Sequence, residues 1–531
     1  MPNQNRRTFM KHLAGLTAGV SGILSLPGQT HAQTSKRPNI LFAIADDQSW
    51  AHTGANGSRI VNTPHFDRIA RQGALFENAF CAAPQCSPSR AAILTGRNIW
   101  QLEEAGTHGS YFPKKFTVFT DQLQKDGYFI GYTGKPWAPG NWQDAGWSRN
   151  PVGPEYNDRH LKPPFTGIND NDYAGNFENF LSKKPKDSPF FFWFGCKEPH
   201  RSYEPGSGLE TGKKLQDVQV PSFLPNQDYI KSDILDYAVE IDWFDQHLGR
   251  MIDLLESSGE LDNTLIVVTS DNGMPFPRAK ANMYEYGTHM PLAMCWRDHI
   301  PGNRKIKDMV SFIDFAPTFL EIAGLDVPEE MTGSSFLYIL TSEKQGQIDP
   351  ERDHVLTGRE RHTHARPDNL GYPCRSIRTH QYLYIHNFKP ERWPAGNPPP
   401  QDSKLDTDTS DLKPIGKGYN DIDGSPSKDF VIEHQHEPGV AHYFELACEK
   451  RPGEELYDIV NDPGCIVNLA DEPEFQPIRQ DLRTKLDKAL AEQGDPRLYG
   501  NGDIFESYPR FGRMRNFPGF KERGKYNPEY Q

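Results

Sequence analysis

Apolar residues along this chain gather into short unbroken runs separated by amphipathic stretches. After Asn39 the run Ile40-Leu41-Phe42-Ala43-Ile44-Ala45 has no polar interruption and ends in Asp46-Asp47. A run of that length predicts a strand buried on both faces. Tyr128-Phe129-Ile130-Gly131-Tyr132-Thr133, Phe190-Phe191-Phe192-Trp193-Phe194 and Leu265-Ile266-Val267-Val268-Thr269-Ser270 read the same way, and the last again meets an acid, Asp271. Helical periodicity fills the intervals. Thr63-Pro64 opens a helix, with a capping hydroxyl, proline at the first helical position, and Phe66, Ile69 and Ala70 on one face. From Ser232, Ile234, Ala238, Ile241, His247, Leu248, Met251, Ile252 and Leu255 form an apolar stripe that stops near Gly259. Strands alternating with helices predict an α/β fold whose sheet is covered on both sides. Ligands of such sheets bind beyond the carboxyl ends of strands, where both acidic clusters fall.

The pattern changes after about residue 350. Tyr382–His386 and Glu455–Asp458 read as strands, and a helix from about Phe475 to Ala491 carries Ile478, Leu482, Leu486 and Leu490 on one stripe. Pro390 to Gly424 is rich in Pro, Asp, Gly and Ser and reads as a long surface loop. The tail from Tyr499 to Gln531 is aromatic and Arg-rich and is expected to wrap the surface. The expected division is a leader over 1–32, a large domain over 33–365 and a smaller C-terminal α+β domain over 366–531, with the loop near 390–424. The leader carries Asn5-Arg6-Arg7-Thr8-Phe9-Met10-Lys11, a weakly apolar stretch from Leu13 to Leu26, and a small-residue site at Thr30-His31-Ala32. That is the pattern of a twin-arginine export signal, so a periplasmic or secreted protein is expected. No segment reads as a permanent membrane anchor.

Composition adds one problem and excludes one class. With 71 acidic against 58 basic residues the net charge is −13, which argues against a nucleic-acid or anionic-membrane partner. A polyanionic ligand would have to be met by cations concentrated locally. Seven cysteines do not make a closed disulfide framework. If Cys86 is consumed chemically, Cys81, Cys196, Cys295, Cys374, Cys448 and Cys465 remain, with no pairing deducible.

The chemistry centres on Cys86-Ser87-Pro88-Ser89-Arg90-Ala91-Ala92-Ile93-Leu94-Thr95-Gly96-Arg97. A cysteine, a proline two residues on, an arginine one helical turn on, and a closing Thr-Gly resemble the type I sulfatases. The resemblance implies an alkaline-phosphatase-like large domain, a central mostly parallel sheet between helices. It implies that Cys86 is oxidised to formylglycine by a maturation enzyme, and that the aldehyde hydrate attacks sulfur through a covalent sulfo-enzyme. Asp46, Asp47, Asp271 and Asn272 supply only oxygen ligands, as a hard divalent cation requires. Read alone, each pair also suits an ordinary turn. In the family's layout they hold a metal against the sulfate together with the modified Cys86; Ca²⁺ is expected in an exported enzyme, with Mg²⁺ the alternative.

The same resemblance assigns catalytic roles to Arg90, to Lys135 after a strand end, to Lys280 in Lys280-Ala281-Asn282-Met283-Tyr284-Glu285, and to His200 as the acid for the leaving group. One position departs from the family: Trp137 stands where many sulfatases carry a histidine two residues after the lysine. His108, Arg201, Glu360, Arg361, His362 and Arg375 are candidates for reading the sugar; Gly358 to His364 and Arg375 are expected as a polar rim, with a solvated loop as the alternative. Asp271-Asn272-Gly273-Met274-Pro275-Phe276-Pro277, Pro199-His200-Arg201, Arg375-Ser376-Ile377-Arg378 and Glu455-Leu456-Tyr457-Asp458 resemble the heparan N-sulfatase branch and its bacterial relatives. The expected function is hydrolysis of sulfate from a sulfated polysaccharide or its oligosaccharides, with O-sulfated algal material preferred. The alternatives are an N-sulfoglucosamine sulfohydrolase, a phosphodiesterase or phosphonate hydrolase of the same superfamily, and a non-catalytic carbohydrate binder.

Overall fold

The computed structural model describes residues 37–366, 370–399 and 418–511. The expected leader over 1–32, the middle of the Pro-rich loop and the last part of the tail lie outside them.

Eight strands make the larger sheet: β1 (Asn39–Ala45), β2 (Ala74–Phe80), β3 (Phe129–Gly134), β4 (Phe190–Gly195), β5 (Thr264–Ser270), β6 (His289–Cys295), β7 (Arg304–Ile306) and β8 (Val310–Ser311). Their order is β3-β4-β1-β5-β6-β2-β7, with β8 beside β2. The four strands from β3 to β5 are parallel to their neighbours, and β6 runs antiparallel to both β5 and β2. The α/β expectation therefore holds, with β6 as its one reversed strand among those described.

The unbroken apolar runs follow from burial on two sides. Ile40, Phe42 and Ile44 point into one core, with Phe191, Trp193, Leu265, Val267, Phe315 and Phe319. Leu41, Ala43 and Ala45 point into the other, with Phe192, Phe194, Ile266, Val268, Phe177, Leu248 and Met251. Alternate residues of a strand face opposite sides, so a strand between two helical layers must be apolar throughout. Each large apolar side chain fully withdrawn from water contributes about 1.5–3 kcal/mol.

Helix α1 (Pro64–Gln72) buries Phe66, Ile69 and Ala70 as expected, but Thr63 does not cap it. The Thr63 hydroxyl instead accepts from the Gly54 amide, and the first-turn amides of His65 and Phe66 donate to the carboxylate of Asp245, 3.0 and 2.8 Å away. A carboxylate from a neighbouring helix thus does the capping hydroxyl's work. That neighbour is the 30-residue helix Asp228–Ser257, which starts four residues before the expected Ser232.

The smaller sheet is antiparallel, in the order β12-β11-β10-β9, from β9 (His354–Arg359), β10 (Cys374–Thr379), β11 (Tyr382–Asn387) and β12 (Glu454–Asp458). The helix Gln476–Glu492 covers it and sends Leu482, Leu486 and Leu490 into the first core. A smaller C-terminal domain is thus present, but its sheet begins at His354, before the expected boundary at 366. No described helix is long and apolar enough to cross a membrane.

At the carboxyl end of β3, Gly134 adopts φ 76°, and a Cβ there would stand 2.0 Å from the Gly195 carbonyl oxygen of β4. Only glycine permits both the conformation and the approach. Gly134→Ala is expected to destabilise the protein by roughly 2–4 kcal/mol, read as a fall in Tm. Gly57→Ala shares the positive φ but meets open space, and should cost about 1 kcal/mol.

Candidate active site

Four adjacent strand ends deliver the chemistry to one edge of the sheet. Asp46 and Asp47 follow β1, Asp271 and Asn272 follow β5, Lys135 follows β3, and His200 lies five residues beyond β4. The crossings are fixed by backbone bonds: the Asp271 amide donates to the Ala45 carbonyl at 3.1 Å and the Asp46 amide to the Glu198 carbonyl at 3.0 Å. Helix α2 (Cys86–Thr95) begins at the candidate nucleophile and is closed by Gly96 in the left-handed conformation. The Thr-Gly pair of the motif is therefore a helix stop.

Inside this edge, acids and bases are paired one to one and almost wholly buried. Arg90 Nε donates to Asp271 Oδ2 at 2.7 Å, Lys135 Nζ to Asp46 Oδ2 at 2.5 Å, and Lys280 Nζ to Asp47 Oδ2 at 2.6 Å. Arg90 Nη1 also donates to the Lys135 and Pro136 carbonyls at 2.6 and 3.1 Å, while its Nη2 is buried with no protein partner. Burial pushes the Asp46 carboxyl up, but Lys135, His200, Arg90 and Lys280 outweigh it and hold it well below the usual range. Burial and the neighbouring Asp46 push the Cys86 thiol well above the usual cysteine range. An unmodified Cys86 is thus a neutral thiol and a poor nucleophile.

Cys86 Sγ donates to Asp46 Oδ1 at 3.4 Å and Asp47 Oδ1 at 3.8 Å. One ligand atom from each of Asp46, Asp47, Cys86 and Asp271 lies within 4.8 Å of the others. Asn272 Nδ2 donates to Asp47 Oδ1 at 2.7 Å, leaving Asn272 Oδ1 buried with no partner. Three carboxylates gathered around one point fit a hard divalent cation, and Asn272 adjoins them through its contact with Asp47.

His200 stands at the open side, its Nε2 3.9 Å from Asp47 Oδ2. Its Nδ1 lies 2.7 Å from the Arg201 carbonyl, which can only accept, so Nδ1 carries hydrogen and Nε2 is the ring nitrogen turned toward Asp47. Asp423 completes the group: its Oδ2 is 3.1 Å from Lys280 Nζ, and it shares a 4.8 Å neighbourhood with Asp47 and His200. Sequence reasoning missed it. Asp423 sits in what reads as a structureless loop, and no periodicity or motif marks it.

Trp137 is buried, and its indole Nε1 donates to the Ser87 carbonyl at 3.1 Å. It is tied to the first turn of α2 and offers no base at the position where the resemblance leads one to expect a histidine. The sugar-reading candidates divide. His108 and His362 meet edge to face at 4.6 Å beside the site. Arg201 is paired bidentately with Asp233 at 2.7 and 2.8 Å.

Glu360, Arg361 and Arg375 do not form a rim. Each is at most 1% exposed. Arg375 is held by Asp495 and Glu360 at 2.7 and 2.8 Å, and Arg361 donates to the Tyr508 and Pro509 carbonyls. The expected sugar-reading rim is at Glu360 and Arg375 a buried ion-pair network, because charge in sequence does not reveal whether a partner neutralises it.

Comparison with known proteins agrees with this geometry. The family model described as Sulfatase matches residues 38–325, over half of the chain, and the one described as N-sulphoglucosamine sulphohydrolase, C-terminal, matches 278–395. The chain is 26% identical over 495 residues to an ulvan-active sulfatase of Formosa agariphila, covering 88% of this chain and 77% of that protein. It is 27% identical over 519 residues to the N-sulphoglucosamine sulphohydrolase of Homo sapiens, covering 88% and 93%. A solved protein in complex with its substrate D-glucosamine-2-N,6-O-disulfate shares the fold, with TM-score 0.61, 22% identity, and 87% and 99% of the two chains covered. The chain belongs to the formylglycine-dependent sulfatase family, and its buried Asp/Asp/Cys/Asp cluster is the hydrolytic machinery of that family.

Arg375→Met removes one partner from a buried ion-pair network, which costs roughly 3–5 kcal/mol. The expected outcome is a large fall in Tm with the KM of the folded fraction unmoved; a raised KM at unchanged Tm would restore the rim assignment.

Proposed function

We propose that this sulfatase removes sulfate from heparan-type glycans, with N-sulfoglucosamine as the unit it cleaves. The observation that carries this reading is the N-sulphoglucosamine sulphohydrolase C-terminal match over 278–395, because that stretch holds Lys280, β9, His362 and β10. The human relative, matched over 93% of its length, supports it further. These weigh more than the ulvan-active relative, so the algal O-sulfate expectation becomes the second reading.

Cys86, oxidised to formylglycine by its maturation enzyme and hydrated, supplies the hydroxyl that attacks sulfur as the S–N or S–O bond breaks. The second hydroxyl then loses its proton, re-forms the aldehyde and expels sulfate. Arg90, locked by Asp271 and two carbonyls, keeps its free Nη2 for a sulfate oxygen. Lys135 and Lys280 hold positive charge where negative charge grows on the sulfo group, in a site too buried for water to screen it. His200 Nε2 gives its proton to the leaving nitrogen or oxygen. Asp46, Asp47, Asp271 and Asn272 would hold a Ca²⁺ ion, which when bound neutralises and polarises the sulfo group. The twin-arginine pattern supports an exported enzyme, matured by a formylglycine-generating partner.

Sulfate release from N-sulfated glucosamine units should exceed that from ulvan oligosaccharides for enzyme matured at Cys86, and Cys86→Ala should abolish both. Release confined to ulvan would replace this substrate with the second reading. Adding Ca²⁺ at about 100 times its Kd to chelator-treated protein should stabilise it by about 2.7 kcal/mol, seen as a raised Tm. Asp271→Asn should lose that response, and Mg²⁺ acting equally well would overturn the preference for calcium.

A further inference from the structure

A second concentration of cationic side chains lies beside the catalytic cluster, and no step above uses it. Arg510 reaches in from the C-terminal tail. Its Nε donates to the His362 carbonyl at 3.0 Å, and its Nη2 lies 3.4 Å from His108 Nδ1, which is itself 3.2 Å from the same carbonyl. Its position is set by Gly109: the Phe511 amide donates to the Gly109 carbonyl at 2.6 Å, and a Cβ on Gly109 would stand 3.4 Å from Arg510 Cγ.

The charge of this group is not neutralised. Arg201, Arg375, Arg378 and Arg497 each meet a carboxylate within 2.8 Å. Arg510 meets none within ion-pair distance among the described residues. Asp421, the acid whose field reaches it, is already bound to Arg359 and Arg366 at 2.8 and 2.7 Å. Arg361 next to it donates only to carbonyls and a hydroxyl. Burial and the surrounding cations hold His108 well below the usual histidine range, so the imidazole is neutral and Arg510 carries the charge. A largely desolvated guanidinium is ordinarily paired; this one retains donor capacity at a partly exposed edge.

Its place next to the sulfate pocket is fixed from two sides. The Gly109 amide, one residue from His108, donates to Ser87 Oγ at 3.0 Å, and Ser87 adjoins Cys86. The fields of Lys135 and Lys280 reach His108, and those of Lys280 and Asp423 reach His362.

We propose that Arg510, with His108 and His362 as its walls, binds a second anionic group of the substrate, a carboxylate or further sulfate on the same sugar or its neighbour. This rests on the sulfatase reading and narrows it to polyanionic glycans. Such a subsite answers the difficulty posed by the net charge of −13, because it places attraction only where the ligand docks.

The test compares wild type, Arg510→Ala and Arg510→Lys on three ligands: a monosulfated glucosamine, a monosulfated disaccharide with a uronate, and a disulfated glucosamine. Turnover is read as kcat/KM for sulfate release by the matured full chain, and binding by calorimetry in the Cys86→Ala background. Arg510→Ala should weaken at least one dianionic ligand roughly ten-fold more than the monosulfated one, with Arg510→Lys partly restoring it. Which dianionic ligand loses most identifies carboxylate or sulfate as the bound group. Equal loss on all three ligands, or none, overturns the subsite. Absence of sulfate release by the wild type while calorimetry still discriminates would reject the sulfatase reading and leave the subsite standing.

Discussion

Everything at the sheet edge depends on buried carboxylates never being left alone. Asp46, Asp47 and Asp271 are at most 2% exposed, and an isolated carboxylate there would take up a proton. Lys135, Lys280 and Arg90 meet them within 2.7 Å, one cation to each acid. These cations are drawn from a strand end, a loop and helix α2, so charge pairing also locks three parts of the chain into one geometry. Asp423 adds a fourth acid, 3.1 Å from Lys280 Nζ and grouped with Asp47 and His200, so Lys280 is shared between two carboxylates.

Much of this was legible in the residues, for identifiable reasons. A strand covered on both faces has to be apolar at every position, so β1, β4 and β5 announce themselves, and an acid directly after such a run must lie at the sheet's edge. The motif at Cys86 was legible because its spacing is local: Arg90 follows within one helical turn and Gly96 ends the helix. By contrast, β2 carries Glu77 and Asn78 in its middle with a register shift there, and β6 contains Pro291; neither presents a clean period. The ends of the loop escaped altogether. Asp421 and Asp423 lie in a Pro- and Gly-rich stretch, yet one binds Arg359 and Arg366 and the other Lys280. Long-range charge pairing leaves no periodic trace.

The same limit explains the misplaced rim. Glu360 and Arg375 share a stretch with His362, and all three are polar, so sequence treats them alike. Their partners separate them: Glu360 binds Arg375 and Arg497, and Arg375 binds Asp495. These residues fasten β9 and β10 to the segment after the helix Gln476–Glu492, and Arg378 of β10 binds Glu285 of the large domain. Arg375 and Arg497 are held there by carboxylates, which leaves them nothing to offer a ligand.

That division of labour bears on how this fold separates catalysis from recognition. Asp46, Asp47, Cys86, Arg90, Lys135 and His200 come from the first 200 residues and Asp271, Asn272 and Lys280 from the segment after β5, so the cluster is built at or beyond strand ends and on α2. His362, Asp423 and Arg510 arrive from later segments that are loops, but loops tied down by the ion-paired junction and by the bond between Phe511 and Gly109. Loop positions can change residue type without disturbing a core, whereas a change at Asp46 or Arg90 strands a buried charge. Substrate range should therefore vary through the later segments while the chemistry at Cys86 stays fixed. The unpaired charge of Arg510, set against the fully paired charges of the junction, marks where that variable part begins.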